Sequence, residues 1–599
     1  MDLHLLHAEP TPEERQAIDA VLAAARPVPR AGPRRDLLLP ALQAAQARVG
    51  HVSAGALNHV CTVLHVPPAD AHGVASFYGL LSTAPRPPRV LRVCDDIGCR
   101  CRGALELAAA LEAAVGPPGR EVGGATWLRS PCLGLCERAP AAFLTVAGPS
   151  PVERLFGPVT APDAFAVLRG DLAVAAAERD PPPQAGDPSL RLLARAGAID
   201  PESLDAYRAS GGYRALRRAL DLGPEGVLRE LLDSRLVGRG GAAFPAGTKW
   251  EAVARQPVRP HLLVCNADES EPGTFKDRVL MEQDPFAVVE AMTVAGFATG
   301  CKVGWLYVRG EYPLAAERLA GAIAQARARH LLGDGLMGRR VRFDIELRRG
   351  GGAYVCGEET ALFNSIEGYR GEPRNKPPFP VQAGLFGKPT LVNNVETLVN
   401  ALDIVLHGGP AYAGVGTAGS KGTKLFCVSG CVKRAGVYEV PFGATVREVL
   451  ALAGGATGSV KAVLLGGAAG TFVGPGELDL PLTFEGLRAA QATLGSGVVM
   501  VFDETVDLVP MLLRIAEFFR EESCGQCVPC RVGTVRQEEA LRRLAAGRPS
   551  GSAADELALL DEIGRAMRDA SICGLGQTAA AAVESALRRF RPFEGRTLP

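Results

Sequence analysis

Two groups of cysteines are spaced for metal chemistry. Near the C-terminus Cys524, Cys527 and Cys530 follow one another at two-residue gaps, and Cys573 stands further on in SICGLGQ. Three thiolates this close can wrap one face of a cubane cluster while a distant fourth closes it. Structural zinc also takes four thiolates, but it favours two separate CxxC knuckles, so the spacing predicts [4Fe–4S] ahead of zinc. In the N-terminal part Cys94 and Cys99 form one pair and Cys132 and Cys136 another, each after an apolar run, RVLRV and TWLRSP. Two loops at neighbouring strand ends could present four thiolates to a two-iron rhomb, and a four-cysteine zinc site would tolerate the same spacing. A second redox centre in the chain favours [2Fe–2S]. Cys61, Cys265, Cys301, Cys356, Cys427 and Cys431 lie in apolar or strand-like contexts, and most are expected to be small core residues. Cys101 is a spare thiol without an assigned role.

The glycine-rich loops offer a different chemistry. VGRGGAAFPAGTKW contains Gly238, Gly240 and Ala243 at G-x-G-x-x-A spacing, but LRELLDSRL before it reads as helix, whereas a dinucleotide fingerprint follows a strand. What remains is a flexible backbone able to approach a phosphate, with Lys249 adding positive charge. HLLVCNADESEPGTFKDR puts Asn266, Asp268, Glu269 and Glu271 just after an apolar strand, where amides and carboxylates can bind ribityl, ribose or ring atoms. RRGGGAYVCGEETAL repeats the design with Gly357, Glu358 and Glu359. PRNKPPFP adds Lys376 and Phe379, and LVNNVET adds Asn393 and Asn394.

These loops need a scaffold, and the chain is long enough for about four folding units at 599 residues. Lys+Arg and Asp+Glu are 65 each, so a polyanion-binding role is not indicated and no nucleic-acid partner is expected. Hydrophobic residues at 47% exclude a mainly disordered chain. No apolar run reaches the length of a membrane span, and MDLHLLHAEPTPEER lacks the features of a secretory signal, so a reducing, cytoplasmic setting without membrane insertion is expected. Residues 12 to about 82 read as four helices, the last being ADAHGVASFYGLL. A β-α-β alternation follows to about residue 174. AERDPPPQAGDPS is a linker by composition. A larger α/β unit runs to about 420, a small α+β unit to about 500, and helices resume from Asp507.

GRGGAAFPAGTKW, NADESEPGTFKDR, YVCGEETAL, KPPFP, VNNVET and ESCGQCVPC, in that order, resemble the NADH-binding flavoprotein family over about residues 200–590. The family comprises the FMN-carrying subunit of complex I, diaphorase subunits of NAD-reducing hydrogenases and beta subunits of NAD-dependent formate dehydrogenases. VASFYGLL, CDDIGC and SPCLGLC resemble the companion thioredoxin-like [2Fe–2S] protein, here fused. The resemblance implies a multidomain α/β chain: an N-terminal helical bundle (1–85), a thioredoxin-like [2Fe–2S] domain (86–175), a linker (176–190), a Rossmann-like FMN/NAD(H) domain (191–421), a small ubiquitin-like α+β domain (422–505) and a helical [4Fe–4S] domain (506–599). It implies that Gly238, Arg239, Gly240, Lys249, Asn266, Asp268, Glu269, Asn393 and Asn394 surround FMN, that Phe244, Glu271, Glu359, Lys376 and Phe379 face NAD(H), and that Gly357 and Glu358 also belong to the cofactor-binding residues. No catalytic acid or base is implied, because hydride transfer is carried by the cofactors. Ala243 and Ala246 depart from the family's usual Gly and Ser or Thr. The tail and the intact N-terminal quartet look most like a formate dehydrogenase beta subunit, partnered by an iron–sulfur/molybdopterin subunit. The alternatives are a hydrogenase diaphorase, partnered by hydrogenase subunits, and a fused complex I flavoprotein. A non-catalytic iron–sulfur or zinc scaffold is the reading from another class.

Overall fold

The computed structural model describes residues 7–28, 32–175 and 180–594. The first six residues of the stretch read for a secretory signal, and Ala177 to Arg179 of the proline-rich stretch, lie outside the described residues. The N-terminal bundle is built from the helices Pro12–Ala24, Leu38–Val49, Ala54–Leu64 and Pro68–Ala75. The first opens with a capping box between Thr11 and Glu14, and the third with the Ser53 side chain accepting from the Ala56 N–H. Apolar residues at helical spacing, among them Ile18, Leu38, Leu42, Leu57 and Val60, are buried together. The fourth helix stops at Ala75 rather than running on to Leu81. Beyond it the backbone is recruited elsewhere: the Gly79 N–H donates to Gly352 O at 3.0 Å and the Leu80 N–H to Gly351 O at 2.9 Å.

Strands β1 (Arg89–Cys94), β2 (Ala125–Ser130), β3 (Ala142–Val146) and β4 (Val152–Phe156) form a sheet in the order β2-β1-β3-β4. The β1/β2 pair is parallel and the others antiparallel. Alternation along β1 sends Leu91 and Val93 into a core shared with the helices Ala104–Val115 and Ala161–Arg169. Cys94, together with Phe143 and Leu155 of β3 and β4, belongs instead to the core of the next domain. The sheet is therefore covered on one face by its own helices and on the other by the neighbouring α/β unit.

That unit holds β5 (His261–Ala267), β6 (Cys301–Val308), β7 (Gly333–Asp334), β8 (Arg342–Arg349) and β9 (Thr390–Asn394), in the order β7-β8-β6-β5-β9. The four strands from β8 to β9 are parallel, and β7 pairs antiparallel at the edge. A parallel sheet needs cover on both faces, which explains the near-continuous apolar run HLLVC and the deep burial of the helix Pro285–Thr299. The register sets Cys265 opposite Asn393 and Asn266 opposite Asn394. The amides thus gather at the carboxyl ends of β5 and β9, where ligands bind in open α/β sheets.

A third sheet, from β10 (Thr423–Gly430), β11 (Gly436–Pro441), β12 (Val460–Leu465), β13 (Thr471–Val473) and β14 (Val498–Asp503), has the mixed order β11-β10-β14-β12-β13 around the helix Val446–Leu452. The proline-rich stretch is fastened to it. Gln184 exchanges hydrogen bonds with the Glu439 backbone, and the N–H groups of Arg191, Leu192 and Leu193 all donate to the Glu439 carboxylate. The chain ends in the helices Leu508–Glu522, Val528–Ala545, Ala553–Ala570 and Ala581–Phe590. Among the described residues no helix is long and apolar enough to cross a membrane.

Candidate functional site

The structure brings the N-terminal cysteines together. Cys94 ends β1, Cys99 lies in the short helix Ile97–Arg100, and Cys132 and Cys136 follow the parallel neighbour β2. All four are buried, the Cys132 and Cys136 Sγ atoms are 3.4 Å apart, and Cys94 contacts both Cys99 and Cys132. The Gly134 N–H points at the Cys132 sulfur at 3.4 Å, a donor suited to a thiolate. At the C-terminal end Cys527 and Cys573 open the helices Val528–Ala545 and Gly574–Thr578, Cys530 lies in the first turn of the former, and the Leu575 and Gly576 N–H groups face the Cys573 sulfur. Ser523 Oγ lies 3.2 Å from the Cys530 sulfur, and a Cβ on Gly576 would come within 2.9 Å of the Cys530 Cβ. Four thiolates drawn from two neighbouring loops are a donor set that suits a cluster. Cys101 sits against Cys431, and Cys61 is only half-buried rather than a core residue.

Between the two sets lies the polar centre at the ends of β5 and β9. Asn266 donates from Nδ2 to Gly357 O at 2.8 Å, and its Oδ1 accepts from the Asp268 N–H at 3.2 Å, which joins two of the polar loops. Asn393 accepts from Trp250 Nε1 at 2.7 Å, leaving its NH2 as the donor end. Asn394 caps the helix Val395–His407 and donates to Asp277 Oδ2 at 2.6 Å. A Cβ on Gly240 would press within 3.1 Å of the Asn394 Cβ, so the glycine backbone runs directly over the amides. Asp268 Oδ2 is buried without a partner, and burial pushes that carboxyl well up. A cradle of bare backbone and amides beside one orphaned acceptor fits a flavin with its ribityl hydroxyls.

Not every expected residue turns its side chain to this centre. The Glu269 carboxylate accepts the Asp277 and Arg278 N–H groups, both at 2.9 Å, at the start of the helix Lys276–Gln283; burial and neighbouring Asp277 push it up to about 8. The Arg239 guanidinium is fully buried and turned towards the small α+β unit. Its Nη2 donates to Lys421 O at 2.7 Å, the Tyr412 hydroxyl at 3.0 Å and Thr423 O at 3.2 Å, while the group lies 4.6 Å from the centre of the Phe442 ring and its Nε and Nη1 find no acceptor. The Arg239 backbone N–H donates to Thr397 Oγ1 at 2.8 Å. Glu271 accepts from the Ala469 N–H at 2.8 Å and from the Tyr354 hydroxyl, and burial pushes its carboxyl up to about 7.

The remaining residues form one partly open patch. Lys249 Nζ lies 3.3 Å from Glu359 and 5.7 Å from the centre of the Phe244 ring. Lys376 Nζ lies 2.8 Å from Glu358 and 3.4 Å from Glu359. Burial works to lower the Lys376 ammonium, but the hydrogen bond to Glu358 and the paired carboxylates hold it raised. Glu358 also caps the helix Glu359–Ile366 through the Thr360 and Ala361 N–H groups. Phe244 and Phe379 expose about half of their surface, 51% and 52%, as aromatic faces are left when a planar ligand is to stack on them.

Several residues that matter here carried no signal in the sequence. Lys276, fully buried, pairs with Asp277 at 2.7 Å and Glu396 at 3.0 Å beneath Asn394, and Lys424 joins Glu396 at 2.7 Å. Arg309 donates to Glu269 O at 2.9 Å and to Cys132 O, while Arg278 donates to Gly134 O at 2.9 Å and pairs with Glu137. These arginines bolt the N-terminal cysteine loop onto the NADESEPG loop. Tyr354 bonds Glu271 through its hydroxyl and Glu522 through its N–H at 2.8 Å, linking the polar centre to the C-terminal cysteine region.

A parallel α/β sheet with a polar cradle at its carboxyl edge, flanked by two thiolate sets, defines an iron–sulfur flavoprotein. Known proteins carry the same modules. Residues 231–403 match the Nuo51 FMN-binding domain, 510–594 the NADH-ubiquinone oxidoreductase-F iron-sulfur binding region, 25–150 the thioredoxin-like [2Fe-2S] ferredoxin and 425–467 the SLBB domain. An NADH-quinone oxidoreductase subunit of Rhizobium meliloti is 44% identical over 404 residues, covering 67% of this chain and 95% of that protein. NADP-reducing hydrogenase subunit HndC of Solidesulfovibrio fructosivorans is 44% identical over 405 residues, 67% of this chain and 82% of its own. A crystal structure of NAD+-reducing [NiFe]-hydrogenase in the H2-reduced state matches with a TM-score of 0.81 and 34% identity over 95% of this chain and 94% of that one. The chain belongs to the NADH-binding flavoprotein family of complex I and NAD-reducing hydrogenases, fused to its thioredoxin-like [2Fe–2S] partner. Its cofactors are FMN, one [4Fe–4S] and one [2Fe–2S], and its substrate is NAD(H).

Proposed function

We propose that this chain is the NAD(H)-oxidising or -reducing subunit of a multisubunit NAD-dependent enzyme in a reducing, cytoplasmic setting. The observation that carries the reading is the convergence of Asn266, Asn393 and Asn394 beneath the Gly238–Gly240 loop, beside the open Phe244/Lys249/Glu359/Lys376 patch. FMN, when bound, exchanges a hydride with NAD(H) and single electrons with an iron–sulfur cluster. The chain's own residues orient rather than react. Gly238, Gly240 and Gly357 allow the backbone to approach the flavin, and Asn266, Asp268, Asn393 and Asn394 hydrogen-bond it. Phe244 and Phe379 give the coenzyme a stacking surface, and Lys249 and Lys376 fix Glu359. Arg239 and Glu269 act from behind, the first by holding the small α+β unit and the second by capping a helix. Cys94, Cys99, Cys132 and Cys136 ligate [2Fe–2S]; Cys524, Cys527, Cys530 and Cys573 ligate [4Fe–4S].

The parent enzyme we favour from the complete N-terminal quartet and the CGQCVPCRVGT tail is a formate dehydrogenase, with formate oxidised in a molybdopterin subunit. A second reading, the diaphorase subunit of a hydrogenase, is supported by the end-to-end likeness to the NAD+-reducing hydrogenase chain. Purification of the intact complex separates them: formate-dependent NAD reduction with bound molybdenum supports the first, hydrogen-dependent reduction with nickel the second. A chain that purifies with zinc, without iron and without flavin, sinks both. Coenzyme choice is tested by kcat/KM for NADH and NADPH. Glu359, joined by Glu271 above about pH 7 where that carboxyl ionises, disfavours a 2′-phosphate by charge, and an unchanged preference in Glu359→Gln removes Glu359 from that role.

A further inference from the structure

Away from the coenzyme site, a half-open cleft of about 500 Å³ lies where the helical bundle, the four-stranded sheet and the FMN domain meet. That volume is within the range of small-molecule sites. Part of its lining is apolar, with Phe143 of β3, Pro87 and Pro313, and part is cationic, with Arg92 directly across the sheet from Phe143. Arg92 belongs to β1, whose alternation turns it, like Cys94, away from the sheet's own helices and towards the junction. It is only 6% exposed, yet its nearest acceptors, Thr145 Oγ1 and Leu80 O, both lie at the 3.5 Å limit of a hydrogen bond. Half-buried Arg86 lines the same cleft. Among the described residues neither guanidinium has an ion-pair partner. The two carboxylates of the lining do not cancel them, because Glu153 is taken by Arg349 at 2.6 Å and Glu317 is exposed at the rim. Burial, with repulsion from Arg86, brings Arg92 down to about 10 against the weaker attraction of Glu311, which is paired with Arg309, and of Glu153.

A buried arginine with no carboxylate at ion-pair distance is costly, and native structures keep such groups paired. We propose that this cleft is a second ligand site, separate from the coenzyme site, for a small molecule bearing a phosphate or carboxylate on an apolar body, its anionic group held by Arg86 and Arg92 and its body against Phe143 and the prolines. The position gives the site a means of being felt at the flavin. Gly350 lines the cleft and accepts from Gln43 Nε2 at 2.8 Å, and the same loop runs through Gly351 and Gly352 to Tyr354. An occupant would join the [2Fe–2S] module to the loop that leads to Glu358.

The test is calorimetric titration of the holoprotein, kept saturated with NAD+ so that the coenzyme site is filled. The probes are inorganic phosphate, phenyl phosphate and phenylacetate. Expected are one saturable site and tighter binding of the phenyl compounds than of inorganic phosphate. The order of phenyl phosphate and phenylacetate tells which anion the site prefers. Arg86→Gln and Arg92→Gln should each weaken binding by about tenfold or more, the loss of one charge-assisted hydrogen bond. The KM for NADH in ferricyanide reduction should be unchanged in Arg86→Gln. Binding that vanishes when NAD+ is present, that is equally tight in the variants, or that is absent for all three probes overturns the proposal. Should Arg92→Gln fail to fold, Arg86→Gln, at a half-buried position, carries the test alone.

Discussion

Replacing Arg239 by methionine keeps an unbranched apolar stem, shorter by the guanidinium, and removes the charge and donors. In the structure Nη2 has two protons and three acceptors, Lys421 O, the Tyr412 hydroxyl and Thr423 O, which amounts to two full charge-assisted bonds with one shared. Each such bond is worth about 1.5–3 kcal/mol net. The substitution also strands two carbonyls in the interior while relieving a burial that has no direct carboxylate partner. Together these place the loss at about 3–5 kcal/mol, two charge-assisted bonds less what is regained by no longer burying the charge. For a domain of this size each kcal/mol moves Tm by about 2–4 °C, so a fall of roughly 10 °C is expected in thermal unfolding of the FMN-loaded chain. Below that transition the NADH–ferricyanide kcat and the affinity for FMN should stay within a few-fold of the parent, because the guanidinium faces Phe442 and the α+β unit. If Tm is preserved while the FMN Kd rises a hundredfold, the clamp argument is wrong and the unpartnered Nε and Nη1 serve the flavin instead. Arg239→Lys should fall between, since one ammonium cannot span the three acceptors.

Three further outcomes are expected. Ala243 holds φ at +55°, a left-handed conformation that costs an L-residue about 1–2 kcal/mol, so Ala243→Gly should stabilise the chain by up to about 1 kcal/mol once glycine's own entropy is subtracted, read as a higher Tm. Burial raises the Glu271 carboxyl to about 7 from an ordinary 4.5, so the folded state holds a proton that the unfolded chain has released between those values; stability therefore falls as pH rises from 4.5 to 7, and Glu271→Gln should flatten that part of the Tm–pH curve. An unaltered curve would mean that the carboxyl titrates normally. Cys573→Ser should cost about four irons per chain by metal analysis and leave FMN and the [2Fe–2S] signal in place; equal loss of both clusters would mean that the cysteine sets had been assigned wrongly.

Much of this architecture could be read from pattern. The apolar run HLLVC, the helical spacing of RDLLLPALQAAQARV and the two cysteine sets each have one dominant physical reading, and the register of β5 with β9 then brings Asn266, Asn393 and Asn394 together. What could not be read was direction. Arg239 sits in a glycine-rich loop that invites a phosphate contact, but only the position of Tyr412 and Thr423 shows where its side chain turns. Glu269 looks like a ligand-binding carboxylate until the start of the helix at Lys276 claims both its oxygens. Lys276, Arg278 and Arg309 look like ordinary surface charges because one sequence does not reveal that a cation is buried; that depends on a distant partner, Glu396, Glu137 or the carbonyl of Cys132. The fourth helix ended early for the same reason. Its local pattern continues, but a loop some 270 residues away, at Gly351, competes for the backbone.

The strap from Gln184 to Leu193, held on the backbone and carboxylate of the single residue Glu439, turns the association of two modules into a property of one molecule. A short tether keeps its ends at an effective concentration in the millimolar range. Dilution therefore cannot separate the [2Fe–2S] module from the flavin domain, and the ratio of the two is settled at translation rather than by the expression levels of separate genes. The [2Fe–2S] module is thus made already joined to the flavin domain.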